Sequence, residues 1–253
     1  MSDDPVRDHG RPPVFDDFIA ADPETLRIRQ YALVLSGCRD PLVISGEVGT
    51  GKTLLARMIH RAGGTPGPFL LITEPPRYFP LPGWSGSPDS PSLPEGGTLC
   101  LPLARQTMPG EAEQKSLLRF LETGSFRTSE TGPRAISGPR LIFESTRPLA
   151  SYLGEGGLMA ELYYHLTAHE INLPPLRDRP EDILLLARHF LSLKAWEDGG
   201  KSGRLSARTE AYLRRYFYPE NVKELKKIIF ERCRPGPGGW IKLEQPLPRT
   251  GGR

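Results

Sequence analysis

Pro41-Leu42-Val43-Ile44-Ser45-Gly46-Glu47-Val48-Gly49-Thr50-Gly51-Lys52-Thr53 is the stretch that decides the fold of this chain. Its second half has the spacing G-x-x-x-x-G-K-T, the pattern of a phosphate-binding loop. Leu42, Val43 and Ile44 form a short apolar run that reads as a buried strand. Leu54, Leu55, Met58 and Ile59 follow at helical spacing, so the loop opens onto a helix N-terminus. The glycines permit a tight turn whose N–H groups face phosphate oxygens, and the helix dipole favours the anion. In that setting Lys52 reaches the β- and γ-phosphates, and the Thr53 hydroxyl sits on Mg²⁺. The residues expected to hold ATP or ADP are therefore Gly46, Glu47, Val48, Gly49, Thr50, Gly51, Lys52, Thr53 and Leu54. The competing reading is a glycine-rich strand-to-helix turn with no ligand. Strand, helix, Lys52 and Thr53 together favour the nucleotide.

The remaining composition narrows the class. A chain of 253 residues with 38% hydrophobic and 25% charged residues can bury a sizeable core. A net charge of +3, with the basic residues scattered, makes no independent case for nucleic-acid binding, and no direct DNA binding is expected. Cys38, Cys100 and Cys233 lie far apart, in no metal-ligand spacing, and read as reduced thiols. No apolar stretch approaches a membrane span and no signal-peptide core opens the chain, so a cytoplasmic location is expected. Prolines cluster at 5–13, 75–94 and 235–248, which marks two tails and one long internal loop.

Further strands are expected at 69–73, 98–101, 140–146 and 170–173, with helices at 23–35, 111–121 and 158–166. Strands alternating with helices imply an α/β fold with a doubly wound parallel sheet. From Pro180 the pattern turns helical: Ile183, Leu186, Phe190 and Leu193 share one face. Ser206 is placed to cap the next helix, and Asn221-Val222-Lys223-Glu224 resembles a capping box. The expected boundaries are a tail over 1–16, a nucleotide-binding domain over 17–178, a helical lid over 179–234 and a Pro/Gly-rich tail over 235–253.

Several blocks, in order, resemble the AAA+ domain of bacterial enhancer-binding proteins, the sigma-54 activators of the NtrC type. Gly46-Glu47-Val48-Gly49-Thr50-Gly51-Lys52 is similar to that family's G-E-S-G-T-G-K loop. Glu95-Gly-Gly-Thr-Leu-Cys-Leu101 resembles the segment before its Walker B acids. Leu162-Tyr-Tyr-His-Leu166 matches L-Y-Y-R-L, and Leu173-Pro-Pro-Leu-Arg-Asp-Arg179-Pro-Glu-Asp-Ile183 matches L-P-P-L-R-x-R-x-E-D-I. Tyr218-Pro-Glu-Asn-Val-Lys-Glu-Leu225 resembles W-P-G-N-V-R-E-L. The resemblance spans residues 17 to 247 and implies an AAA+ P-loop domain followed by a small helical lid.

The departures from that pattern bear on activity. Pro102 and Leu103 stand where the family has its Walker B Asp-Glu. The first acid orders Mg²⁺ through water and the second polarises the attacking water; proline and leucine do neither. Thr146 replaces the first-sensor asparagine, and Met159 and His165 match the arginine fingers. Loss of such a finger is worth about three to five powers of ten in rate. Lys223 matches the second-sensor arginine and keeps its charge without the planar fork. Residues 74–95 carry no G-A-F-T-G-A, the family's sigma-54 contact, and neither a sensing domain nor a helix-turn-helix is expected at the ends.

Glu144 is the one charged residue in Leu141-Ile-Phe-Glu144 and, two residues before Thr146, shares its face of the strand. A substitute for the lost acid, a paired buried carboxylate and a strand-end charge are its three readings. Arg147 and Arg177 are further phosphate candidates, Arg177 within a block that reads as structural. Trp84 and Trp196 read as packing residues. Three functions follow as expectations: a regulatory pseudo-ATPase working through a protein partner, either itself or an intact AAA+ relative; an active ATPase regulating sigma-54 transcription; and a P-loop phosphotransferase, which the lid argues against.

Overall fold

The computed structural model describes residues 18–64, 66–72, 96–104, 108, 110–123, 125–126, 136–154, 157–200, 202–236 and 240–243. They fall into two compact units, Pro23–Pro175 and a second that joins the residues up to Asp22 with those from Leu176 onward. The expected tail over 1–16, most of the loop with Trp84 and the end of the chain from 244 lie outside the described residues.

The first unit opens with α1 (Pro23–Ser36), β1 (Leu42–Ser45), α2 (Lys52–Ala62), β2 (Phe69–Leu71), β3 (Thr98–Leu103) and α3 (Glu111–Thr123). A short antiparallel pair, β4 (Ser125–Phe126) and β5 (Ile136–Ser137), leads to β6 (Arg140–Ser145), α4 (Ala160–Thr167) and β7 (Glu170–Asn172). The five longer strands form one sheet of order β2-β3-β6-β1-β7, parallel at every step. All five occupy the runs expected from the sequence.

Parallel pairing demands cover on both faces, and the pleat sends alternate side chains to each. Val43, Leu99, Leu101, Leu103, Leu141 and Phe143 join Leu117 and Phe120 of α3 and Leu162 and Leu166 of α4 in one buried cluster. Leu42, Ile44, Cys100 and Ile142 take the opposite face, where α2 packs on β1, β3 and β6 through the buried Leu55, Ala56 and Ile59. Each such aliphatic side chain contributes about 1.5–3 kcal/mol by leaving water.

The second unit holds α5 (Pro180–Glu197), β8 (Arg204–Leu205), α6 (Ala207–Arg215), α7 (Asn221–Arg232), β9 (Cys233–Pro235) and β10 (Trp240–Leu243). Ile183, Leu186, Phe190, Leu213, Leu225, Ile228 and Ile229 form its core. Ser206 caps α6 as expected, its side chain accepting from the Thr209 N–H. Three expectations need correction. The segment after 234 contributes β10, which pairs antiparallel with β9 and parallel with β8, so Trp240–Leu243 is not tail. Phe18–Asp22 belongs to this unit, because the Asp182 carboxylate accepts the N–H groups of Ala21 and Asp22 at 2.6 and 2.8 Å. Leu176–Asp178 also belongs here, as a short 3-10 turn whose Leu176 sits in this core.

Asn221 begins α7 but its side chain serves another segment. Its Oδ1 accepts the Leu176 N–H at 2.7 Å, and its φ of 53° is one that asparagine tolerates better than most residues. The reciprocal half of a capping contact comes from Glu224, which accepts the Glu220 N–H at 3.0 Å. The expected capping box does not form, since Glu220 before α7 makes no side-chain cap bond.

Candidate functional site

The loop between β1 and α2 is shaped by its glycines. Gly46 has φ 149°, and a Cβ there would lie 2.5 Å from the Leu173 carbonyl oxygen. Only glycine lets the chain leave β1 so close to the segment after β7. Gly51 has φ 107° and caps α2 in a left-handed conformation. Leu55 N–H donates to the Gly51 carbonyl as the first helical bond, so the N–H groups of Lys52, Thr53 and Leu54 have no partner inside the helix. Thr50, 1% exposed, donates its hydroxyl proton to the Glu47 carbonyl at 2.9 Å and braces the loop.

Lys52 folds back over this loop. Its ammonium donates to the Gly46 and Glu47 carbonyls at 2.7 and 2.8 Å. Burial pushes its pKa below the ordinary lysine value, and the Glu144 carboxylate opposes that shift. A desolvated ammonium held over backbone carbonyls has the charge and the reach to exchange them for anionic oxygens.

Glu144 is drawn into the same place. Its Oε2 accepts the Thr53 hydroxyl proton at 3.0 Å and its Oε1 accepts the Cys100 thiol proton at 3.1 Å. Burial, then the Glu144 charge, pushes the Cys100 pKa far above its usual value, so that thiol stays protonated and remains a donor. Across the sheet Glu144 is registered with Pro102 on β3 and Ile44 on β1. Glu144 is the penultimate residue of β6, and its carboxylate lies against the first turn of α2.

Sequence reasoning placed Glu144 on the correct face but gave no sign of the Thr53 contact, since 91 residues separate the two. The other matched positions are scattered. Leu103 is buried in the apolar cluster on the opposite face, and the Tyr152 hydroxyl donates to its carbonyl at 3.1 Å. Thr146 and Arg147 are exposed beyond β6. Met159 precedes α4 and its N–H donates to Gln114 Oε1 at 2.8 Å. His165 Nε2 lies 4.0 Å from a Glu122 carboxylate oxygen. Lys223 is exposed on α7 of the second unit. There too, Arg177 lies 4.7 Å over the Phe217 ring, and Trp196, expected to pack, is 55% exposed.

The fold also brings Cys38 together with Asp40 and His169, their ligand atoms within 4.8 Å of one another, which the cysteine spacing did not indicate. Arg140 places a guanidinium nitrogen 4.0 Å from the Cys38 sulfur, a charge that opposes a cation. Among the described residues no helix is long and apolar enough to cross a membrane.

Known proteins resemble this chain throughout. Residues 177–249 match the AAA+ ATPase lid domain. The chain is 35% identical over 246 residues to the protein y4pA of Sinorhizobium fredii, covering 92% of this chain and 39% of that protein. It is 31% identical over 234 residues to the HTH-type transcriptional regulatory protein TyrR of Enterobacter agglomerans, covering 85% and 44% respectively. The crystal structure of NtrX from Brucella abortus in complex with ADP has the same fold, with a TM-score of 0.68 at 23% identity over 85% of this chain and 51% of that one. This chain belongs to the AAA+ domains of bacterial enhancer-binding proteins. It spans less than half the length of these two curated relatives. Within the AAA+ fold, the parallel sheet carries the loop and the helical second unit is the lid. β3 ends in Pro102 and Leu103.

Proposed function

We propose that this AAA+ domain binds ATP or ADP with Mg²⁺ at Gly46–Leu54, hydrolyses it weakly or not at all, and acts through nucleotide-dependent protein contacts. The observation that carries this reading is a complete loop beside a β3 that ends in Pro102 and Leu103 rather than in acids. A structure of NtrX in complex with ATP, beside the one with ADP, supports a nucleotide ligand for this fold. The first-turn N–H groups of α2 would take phosphate oxygens, and Lys52 would exchange loop carbonyls for the β- and γ-phosphates. Thr53 presents a hydroxyl oxygen, a ligand of the kind Mg²⁺ takes. When bound, the ion neutralises phosphate charge. Lys223, matched to the second-sensor arginine, is the remaining proposed nucleotide-site residue and keeps a positive charge.

With neither a water-polarising acid at Leu103 nor an arginine at Met159 or His165, the nucleotide serves as a ligand that sets conformation. The partner in this reading is a protein, either a second copy or an intact AAA+ relative, in the cytoplasm, with no direct DNA contact by this domain. Regulation of transcription is the role its relatives' names suggest.

A second reading, an active ATPase, is favoured by one observation, the Glu144 carboxylate 3.0 Å from the Thr53 hydroxyl. Calorimetry and a turnover assay on the purified protein separate the two. Nucleotide affinity with negligible turnover supports the first; motor-like turnover, lost in Lys52→Ala, supports the second.

A further inference from the structure

We infer that Glu144 is the magnesium-ordering carboxylate of this domain, moved one strand from β3 to β6. The inference rests on the nucleotide reading above and adds a residue that reading does not require.

The register makes the exchange possible. Pro102 and Glu144 are direct partners in the parallel ladder between β3 and β6. Partners in such a ladder share a face, here the face under α2 that also carries Cys100, Ile142 and Ile44. A carboxylate beginning at β6 starts about 4.8 Å to the side of one beginning at β3. The displacement is toward β1, since β6 lies between β3 and β1, and β1 feeds the loop. Glu144 therefore approaches Thr53 from the near side and already touches it. Position 102, by contrast, offers only a pyrrolidine ring.

The distances suit the ion. Mg²⁺ holds oxygen ligands at about 2.1 Å in an octahedron, which sets adjacent ligands about 3.0 Å apart. Thr53 Oγ1 and Glu144 Oε2 are 3.0 Å apart. The two oxygens also come from rigid elements, the first turn of a helix and a central strand.

The surroundings give the carboxylate little other employment. Among the described residues its side-chain partners are the Thr53 hydroxyl and the Cys100 thiol, and its charge also acts on Lys52. Two neutral donors are weak compensation for a half-buried carboxylate on the face that carries Ile44, Cys100 and Ile142. A divalent cation beside it supplies the opposite charge that the two neutral donors lack. Leu103, buried on the opposite face, is not replaced in the same way. Magnesium retention and water activation are thereby uncoupled: the metal-ordering acid has a successor and the water-polarising acid has none.

The test is nucleotide affinity, by calorimetry with ADP and ATP, in excess Mg²⁺ and in EDTA. In the wild type Mg²⁺ should tighten binding by about tenfold or more. Glu144→Gln, which keeps the shape and loses the charge, should abolish most of that factor. It should also leave the EDTA affinity equal or better, because an anion near the phosphates has been removed. Pro102→Asp combined with Glu144→Ala, which returns the acid to β3, should restore the magnesium dependence. Mn²⁺ bound with ADP, followed by electron paramagnetic resonance, gives an independent reading: the bound signal should fall in Glu144→Gln. If Glu144→Gln loses affinity equally in Mg²⁺ and EDTA, the carboxylate is a structural acceptor and the inference is overturned. An unchanged magnesium factor overturns it too, as does wild-type binding that ignores Mg²⁺. A wild type that binds no nucleotide under either condition removes the nucleotide reading along with this one.

Discussion

Glu144 faces Pro102 across the parallel ladder of β3 and β6, and its carboxylate accepts the Thr53 hydroxyl proton at 3.0 Å. A carboxylate from β6 thus stands beside the loop, while Leu103 at the end of β3 lies in the core. Leu103 is 6% exposed among Leu101, Leu149 and Tyr152. Leu103→Glu should therefore fail to recover hydrolysis. It would bury an unpaired carboxylate in an apolar cluster, at a cost of several kcal/mol. A lower unfolding midpoint with turnover still at background is the expected result. A stable variant with raised turnover would mean that position 103 still addresses the nucleotide.

Lys52→Ala removes the ammonium that spans the Gly46 and Glu47 carbonyls. In a nucleotide complex the same group supplies charge-assisted bonds to phosphate, so affinity should fall tenfold or more, about 1.5–3 kcal/mol. Calorimetry with ADP measures this directly. Equal affinity in wild type and variant would remove the loop as the binding site.

Gly46→Ala tests the loop's path without touching a charge. The added methyl would lie 2.5 Å from the Leu173 carbonyl oxygen, at a φ of 149° that side chains rarely adopt. The loop must shift away from Leu173, carrying the Gly46 carbonyl off Lys52. Nucleotide binding should drop sharply while circular dichroism stays native in shape. Wild-type affinity would show that the close approach is incidental to binding.

The sequence was most legible where one period dominates. Five apolar runs became five strands, and Gly46 to Thr53 became the turn their spacing implies. It was least legible where a distant group decides the local structure. Trp240–Leu243 lies in a Pro/Gly-rich stretch, and pairing with Cys233–Pro235 and Arg204–Leu205 makes it a strand. Asn221 looks like a helix cap, yet its acceptor is claimed by Leu176, 45 residues away. Leu103 continues β3 because its side chain finds a core on the α3 and α4 face, which no local pattern announces. The partner of Glu144 was hidden for the same reason.

Asp182 offers a stability prediction inside the lid. It is fully buried, accepts N–H bonds from Ala21 and Asp22, and stands 3.6 Å from the equally buried Arg179 guanidinium. Burial lowers the Arg179 pKa, and the Asp182 and Asp22 charges oppose that. Asp182→Ala removes two backbone acceptor contacts and one of those charges, a loss of about 3–5 kcal/mol. Hydrogen exchange should accelerate at Ala21 and Asp22 before it does elsewhere in this unit. Native stability in the variant would mean that Asp22 compensates Arg179 alone.

Transcription gives the last test. A sigma-54 activator grips the polymerase through its G-A-F-T-G-A contact and drives it with hydrolysis. Residues 74–95 contain no such motif, and Pro102 and Leu103 supply no hydrolytic acid. Relocating the magnesium ligand to Glu144 does not repair either deficit, because an ordered ion without an activated water leaves the nucleotide intact. This chain alone, with ATP, sigma-54 polymerase and a closed promoter, should therefore yield no open complexes. Glu144→Gln should leave that result unchanged, since the missing grip lies elsewhere. Any effect on transcription should instead need a second protein and should follow nucleotide occupancy, disappearing in Lys52→Ala. Open complexes formed by this chain and ATP alone would overturn the pseudo-ATPase reading and establish an activator that works without the usual loop.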